Sequence, residues 1–228
     1  MIRAVPRLAA AMPPVVRVFA AGILVVAGLA TLGVLLGTNW QLFKVGEEGN
    51  VPTWFSSIQL FSVGAILLVV VWPDIKPNRR ASWALILVPG LFLYLSLDEA
   101  ATLHEQLGRW FFADSDFGTE LRTGPWMFFF VPVIAAVTAL AAWVFWPYLR
   151  GRRDVITRYV VGIAIFATAA VGLELIGNFT VEGSQIQKLV GFGEEVGEMI
   201  AVNLILWATV LVAGHEGIRL HRVQPARE

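Results

Sequence analysis

Two short stretches of this sequence place acidic side chains within runs that are otherwise apolar. The stretch at residues 96–108, SLDEAATLHEQLG, carries four ionisable side chains: Asp98, Glu99, His104 and Glu105. The stretch at residues 191–203, GFGEEVGEMIAVN, adds three more: Glu194, Glu195 and Glu198. Carboxylates and imidazoles bind metal ions and transfer protons. Because ionisable groups are costly inside a membrane, their presence in apolar segments predicts a functional site.

The composition indicates which elements must position these side chains. Of the 228 residues, 57% are hydrophobic and only 15% are charged, whereas soluble proteins have about 25% charged residues. We therefore expect an all-α integral membrane protein that forms a single domain over residues 1–228, with the lipid bilayer as its main partner. The absence of cysteine from the sequence excludes disulfides, thiol nucleophiles and cysteine-ligated metal centres. No basic run indicates a nucleic-acid partner.

Six apolar segments are long enough to cross a bilayer, which takes about 20 helical residues. We predict spans at residues 18–36, 55–72, 83–107, 126–148, 159–177 and 189–214. Pro89 lies inside the third span and predicts a kink there. Gly193 and Gly197 lie near the start of the sixth span, where small residues should let neighbouring helices approach closely. Asn203, deeper in that span, is expected to hydrogen-bond a neighbouring helix.

The basic residues predict the orientation of these spans. Thirteen of the 17 lysines and arginines lie in four segments: the N-terminal arm, the loop between the second and third spans, the loop between the fourth and fifth spans, and the C-terminal tail. Because basic residues concentrate on the cytoplasmic side, this bias predicts that both termini are cytoplasmic. Thirteen of the 17 acidic residues lie in the other loops or in the adjoining halves of the spans. We therefore expect an integral protein of a bacterial plasma membrane, with the acidic site facing the outer side.

Three spans place carboxylates at a common depth. At about 1.5 Å per residue, Asp98 and Glu174 each lie about 22 Å from the cytoplasmic ends of their spans, and Glu198 lies about 24 Å from its own. The hydrocarbon core is about 30 Å thick, so all three carboxylates fall in its outer third. Nothing in the composition requires this agreement, which is what a shared site would produce.

Helical periodicity adds a common direction to this common depth. In a continuous third helix, Asp98 and Glu105 project within about 20° of each other, with His104 at the edge of that face and Glu99 to another side. In the sixth span, Glu198 is one turn from both Glu194 and Glu195, so the three acids share one broad face. We expect these faces to meet in the bundle.

So many acids in one site cannot all be ionised without a counter-charge. Three arrangements remain open. A divalent or trivalent cation could neutralise the carboxylates, or several of them could be protonated and form a proton or cation pathway. Alternatively, they could fan outward into headgroup water and pair with basic residues, an arrangement that suits Glu105 and Glu194 best because these lie nearest the interface.

If a metal is bound, the residue types narrow its identity and assign roles. One imidazole among many carboxylates suits Mn, Fe, Ca or Mg better than Zn. The chain lacks the Glu-x-x-His motif of di-iron carboxylate bundles. The side chains best placed as metal ligands are Asp98, Glu174, Glu194, Glu195 and Glu198. Those best placed for acid–base chemistry are Glu99, His104 and Glu105.

These features predict metal-dependent chemistry on an amphipathic or lipid substrate in the outer leaflet. A proton- or cation-coupled transporter is the second interpretation, in which the same carboxylates titrate. The chain shows no internal repeat of the kind common in transporters, which disfavours that interpretation. A non-catalytic subunit of a membrane complex is the third.

Overall fold

The computed structural model describes residues 14–36, 41–45, 49–76, 80–111 and 126–215. Within these ranges the chain is helical and contains no strand. The α-helices are α1 (Pro14–Leu36), α2 (Val51–Val71), α3 (Arg80–Ala101), α4 (Leu103–Phe111), α5 (Trp126–Leu149), α6 (Arg153–Ala167), α7 (Glu174–Asn178) and α8 (Gln185–His215). A π-helical segment, Thr168–Leu173, joins α6 to α7.

Six helical stretches within the described ranges are long and apolar enough to cross a membrane, which confirms the predicted multi-pass helical fold. The helices extend beyond several of the predicted spans. For example, α2 begins at Val51 because the side chain of Asn50 caps it by accepting a hydrogen bond from the backbone N–H of Thr53 (3.1 Å). Hydropathy alone located the apolar part of each helix and missed such polar ends.

The third predicted span, residues 83–107, is divided into two helices. Thr102 separates α3 from α4, with a backbone φ of 50°. This left-handed conformation is unfavourable for a β-branched residue, and it changes the direction of the chain. The apolar stretch of α3 that could cross a membrane ends at Ala101. α4 therefore lies beyond this span, and we call this end of the bundle the α4 end.

α8 is the central helix of the bundle. It packs against α1, α2, α6 and the π-helical segment. Half of the residues in its apolar stretch that could cross a membrane are buried in the protein, whereas in the corresponding stretches of α1 and α5 the buried share is 11%. Val202 and Ile205 of α8 share a buried core with Leu60 and Val63 of α2. The fully buried part of α8 begins at Met199, near the middle of the helix, and the side chains before it are exposed or half-buried.

Small residues allow this close packing. A Cβ atom added to Gly22 of α1 would overlap Oδ1 of Asn203, so only glycine leaves room for that side chain. Asn203 in turn donates from Nδ2 to the backbone oxygen of Phe19 (3.1 Å), which is the predicted interhelical hydrogen bond. On the opposite side of α8, a Cβ atom on Gly197 would lie 2.9 Å from that of Ala169. The approach expected at Gly197 is therefore present.

Candidate functional site

The predicted site residues occupy four helices. Asp98 and Glu99 lie in the last turn of α3, and His104 and Glu105 in the first turn of α4. Glu174 is the first residue of α7. The remaining acids, Glu194, Glu195 and Glu198, lie in the first half of α8.

Glu198 experiences electrostatic repulsion from glutamates on three helices. The strongest comes from Glu99 of α3, and Glu195, Glu194 and Glu174 contribute in decreasing order. Glu174 is only 9% exposed and Glu198 is partly buried. Since like charges repel more strongly where water is scarce, this arrangement is unfavourable unless protons or a cation reduce its charge.

Asp98 and His104 form a closer unit at the junction of α3 and α4. The Oδ1 atom of Asp98 accepts from the backbone N–H of His104 (2.7 Å), and its Oδ2 atom lies 2.9 Å from Nδ1 of the imidazole. The first N–H groups of a helix have no partner within that helix, so Asp98 caps α4 across the break at Thr102. Both oxygens of Asp98, which was predicted as a metal ligand, thus contact His104.

The imidazole of His104 is electrostatically linked to the glutamates. Burial lowers the pKa of His104, but the hydrogen bond with Asp98 and the charges of Asp98, Glu174 and Glu105 outweigh that effect and raise the pKa above its usual value. The protonated imidazole is therefore favoured. Because Glu174 acts on both His104 and Glu198, it connects the Asp98–His104 pair to the acids of α8.

Glu105 has a different environment from the other acids. Its Oε2 atom accepts from Nη1 of Arg109, one helical turn later (2.9 Å), and that arginine side chain is 63% exposed. The prediction that Asp98 and Glu105 share a face assumed a continuous helix, and the break at Thr102 removes that assumption. For Glu105, pairing at the surface was one of the alternatives left open by the sequence.

The π-helical segment determines how Glu174 is presented. Each π-type turn takes in an additional residue, so the segment changes the direction in which the following side chains point. Glu174 is buried, whereas the next two residues, Leu175 and Ile176, are 40% and 51% exposed. Gly193 of α8 lies against this segment, where a Cβ atom would be 3.4 Å from Leu173. π-Bulges are frequent at functional sites.

Sequence reasoning missed a layer of polar side chains on α2. Ser57 and Ser96 form reciprocal hydrogen bonds between α2 and α3: each hydroxyl donates to the other residue's backbone oxygen, at 2.7 and 2.8 Å. Ser56 and Gln59 are also buried, at 1% and 3% exposure. A signal was available, since three polar residues within four positions are unusual in an apolar span.

No three carboxylate or imidazole groups are arranged to hold one metal ion in the part of the chain that the structure describes. A metal ion would therefore need some of these carboxylates to adopt other rotamers. The long side chains of Glu99, Glu195 and Glu198 have the freedom to do so.

Comparison with known proteins gives one match. Residues 15–213 match a family described as a domain of unknown function, DUF8692. The chain belongs to this family. No curated protein and no solved structure matches it. Residues 15–213 include the π-helical segment and every predicted site residue, so the candidate site lies entirely within the DUF8692 region.

Proposed function

We propose that this DUF8692 protein binds a divalent metal ion among the carboxylates at the α4 end and uses it in chemistry on an amphipathic or lipid substrate. The observation that carries the proposal is the mutual repulsion of Glu198 and four other glutamates, contributed by α3, α7 and α8. A divalent ion would offset two negative charges and would stabilise the carboxylates when they converge on it.

The alternative of solvated surface charges fits Glu105 and fits the buried acids poorly. Glu105 pairs with an exposed arginine, as a surface carboxylate does. Glu174 is buried, and Glu198 is partly buried in α8, the central helix of the bundle. Charges in that position are retained at a cost in stability, which favours a functional reason for them.

Within this proposal the residues divide into two groups. We assign the ion to Glu174, Glu194, Glu195 and Glu198, and to Glu99, which acts most strongly on Glu198. We assign proton transfer to His104. Asp98 would orient the imidazole and favour its protonated form. The metal would polarise a substrate oxygen or activate a water molecule.

The orientation of the protein forms part of the proposal. The distribution of basic residues supports cytoplasmic termini and a site that opens to the outer side of a bacterial plasma membrane. Reporter fusions at Gly151 should then signal cytoplasm, and fusions at Glu182 the outer side. A reproducible reversal at either position would overturn this orientation.

Metal binding can be tested on the purified protein in detergent. Thermal unfolding is followed with and without Mn²⁺, Fe²⁺ (without oxygen), Ca²⁺, Mg²⁺ and Zn²⁺, for the wild type and for Glu198→Gln. A ligand of the native state raises the melting temperature, so at least one ion should do so for the wild type. Glu198→Gln should weaken binding of that ion by about 10-fold or more, because substituting a residue that only contacts a metal ligand already lowers metal affinity by that much.

A matched control is Glu182→Gln, because Glu182 is exposed in the connection between α7 and α8. It removes the same charge away from the site and should leave the metal response unchanged. If no ion raises the melting temperature of the wild type, or if both variants respond as the wild type does, the metal site is refuted.

Proton-coupled transport is a second candidate, favoured by the chain of interacting groups from His104 through Glu174 to Glu198. Such a series can carry a proton into the bundle. In this case Glu198→Gln mimics the protonated acid, so stability should hold or increase while proton flux into liposomes is lost. Metal ions would then have no effect on melting.

A further inference from the structure

Ser56 and Gln59 of α2 bury polar atoms that find no hydrogen-bond partner among the described residues. These atoms are Oγ of Ser56 and both Oε1 and Nε2 of Gln59. The two side chains are only 1% and 3% exposed. Buried polar side chains are almost always hydrogen-bonded, so three such atoms within one helical turn point to a group that they bind.

Other hydroxyls in these helices behave differently. Those of Ser62 and Thr31 donate to the backbone oxygen four residues earlier, at 2.8 and 2.7 Å, as isolated hydroxyls in apolar helices usually do. The hydroxyl of Ser57 bonds to α3. Ser56 makes neither contact, so its hydroxyl remains available to an additional group in the interior.

The packing on either side fixes the depth of these residues. Before them in the chain, Phe55 packs against a buried group that contains Met199 of α8. After them, Val63 shares the main core with Val202. Ser56 and Gln59 therefore lie level with the stretch of α8 between Met199 and Val202, which Glu198 directly precedes.

The direction of these side chains follows from the contacts of α2. Ser57 bonds to α3 and Gly64 packs against Pro89 of α3, so these two residues define the side of α2 that faces α3. At about 100° per residue, Ser56 and Gln59 project about a third of a turn from that side, within about 60° of the core residue Val63. Of the remaining helices, α2 packs most extensively on α8.

The facing side of α8 carries the acids. Asn203 faces α1, and a Cβ atom on Gly162 of α6 would lie 3.2 Å from the backbone oxygen of Ala201, so two sides of α8 are occupied by α1 and α6. Glu195 and Val202, two turns apart, project within about 20° of each other toward the remaining side, with Glu198 at its edge. Ser56 and Gln59 thus face the side of α8 that carries Glu195 and Glu198, and of these two acids Glu198 is the nearer in level.

We propose that Ser56 and Gln59 complete the cation site by supplying neutral oxygen ligands opposite the carboxylates of α8. This inference rests on the proposed metal function and specifies it further. Hydroxyl and amide oxygens combined with carboxylates form a site for a hard cation, of which Ca²⁺ accepts the largest number of oxygen ligands. When the cation is bound, the amide Nε2 of Gln59 would donate to one of the same carboxylates and orient it.

The composition of this site predicts an order of cations. Ca²⁺ and Mn²⁺ should bind more tightly than Mg²⁺, which gives up its hydration water reluctantly. Zn²⁺ is usually four-coordinate and prefers nitrogen and sulfur ligands, so it should gain least from the additional oxygens of Ser56 and Gln59. The Asp98–His104 pair lies outside this set of ligands, so substituting His104 should leave the order unchanged.

The test compares Ca²⁺-dependent melting of the wild type with that of Gln59→Leu, Gln59→Glu, Ser56→Ala and Ser57→Ala. Gln59→Leu removes the unpartnered amide, so without Ca²⁺ the melting temperature should hold or increase, while the Kd for Ca²⁺ should rise by about 10-fold. Gln59→Glu keeps an oxygen ligand and should restore Ca²⁺ binding. Ser57→Ala is the control: it removes a neighbouring hydroxyl that bonds to α3, and the Kd should not change.

The outcomes separate this inference from the proposed function. If the wild type responds to Ca²⁺ and Glu198→Gln weakens the response while Gln59→Leu and Ser56→Ala do not, the role of Ser56 and Gln59 is overturned and the metal function stands. If Zn²⁺ stabilises the wild type more than Ca²⁺ does, the assignment of a hard cation is overturned. If no ion stabilises the wild type, both proposals fail together.

Discussion

The connection between α3 and α4 depends on one carboxylate, and substitution of Asp98 should show this. Asp98→Ala removes two hydrogen bonds to His104, one to the backbone N–H and one to the ring. Asp98→Asn keeps an oxygen that can cap α4 but removes the charge that the imidazole contacts. The two variants therefore separate the capping contribution from the ionic contribution.

The size of each effect follows from the contacts. A lost helix cap costs about 0.5–2 kcal/mol. A hydrogen bond to a charged group contributes about 1.5–3 kcal/mol, and partial exposure of the two side chains (13% for Asp98 and 23% for His104) reduces this through solvent screening. We expect Asp98→Ala to lower the free energy of unfolding by about 2 kcal/mol and Asp98→Asn by about 1 kcal/mol.

The ionic contribution should depend on pH in a specific direction. The pKa of His104 is raised in the folded protein, whereas in the unfolded chain it is about 6.5. The stabilisation by the charged imidazole is therefore fully present below about pH 6.5 and is lost as the pH rises through the higher, folded-state pKa. The difference between wild type and Asp98→Asn should be largest near pH 6 and should decrease toward pH 9.

The measurement is denaturant unfolding in detergent micelles at several pH values between about 6 and 9. NMR titration of the imidazole, which reports the pKa of His104 directly, accompanies it. The reasoning is refuted if the penalty of Asp98→Asn is independent of pH or increases with pH. It is also refuted if Asp98→Ala costs no more than Asp98→Asn, since the capping contribution would then be absent.

Two further predictions concern the backbone. Gly22→Ala places a methyl group where Asn203 lies and should destabilise the protein by about 1–3 kcal/mol. Gly28→Ala, which has open space at its Cβ position, is the control and should be neutral or stabilising. Equal effects of the two substitutions in denaturant unfolding would contradict the packing described for α1 and α8. Thr102→Gly should stabilise the protein by up to about 1 kcal/mol, because glycine adopts the left-handed conformation without strain. Thr157→Gly within α6 is the control and should destabilise the protein. A loss of stability at both positions would show that the backbone at Thr102 is unstrained.

The six spans could be predicted from the sequence because the cost of exposing a polar backbone to lipid requires long apolar helices. That requirement acts locally, so composition and length reveal it. Helix ends were less accessible, since they depend on caps such as Asn50. The break at Thr102 was missed for a related reason: the polar residues on both sides continue a helical pattern, and the cap that stabilises the break comes from Asp98, in the preceding helix.

The sequence predicted residue types and a common depth for the candidate site, but not its contacts. Depth depends only on the rise per residue, so Asp98, Glu174 and Glu198 could be placed at one level before the helices were assembled. The direction in which each side chain points around its helix axis depends on the actual path of the backbone. The π-helical segment before Glu174 and the break at Thr102 both alter that rotation.

The sequence by itself determined that this chain forms six long apolar helices with acids grouped in three of them, because the bilayer acts on each segment separately. Only the tertiary structure decided which partners those acids have. It pairs Asp98 with His104 and Glu105 with Arg109, and it brings Glu99 of α3 and Glu174 of α7 close enough to Glu198 to repel it. It also buries Ser56 and Gln59 at the level of Met199 to Val202 in α8. These relations depend on how helices distant in the sequence pack against α8, and no local pattern encodes that packing.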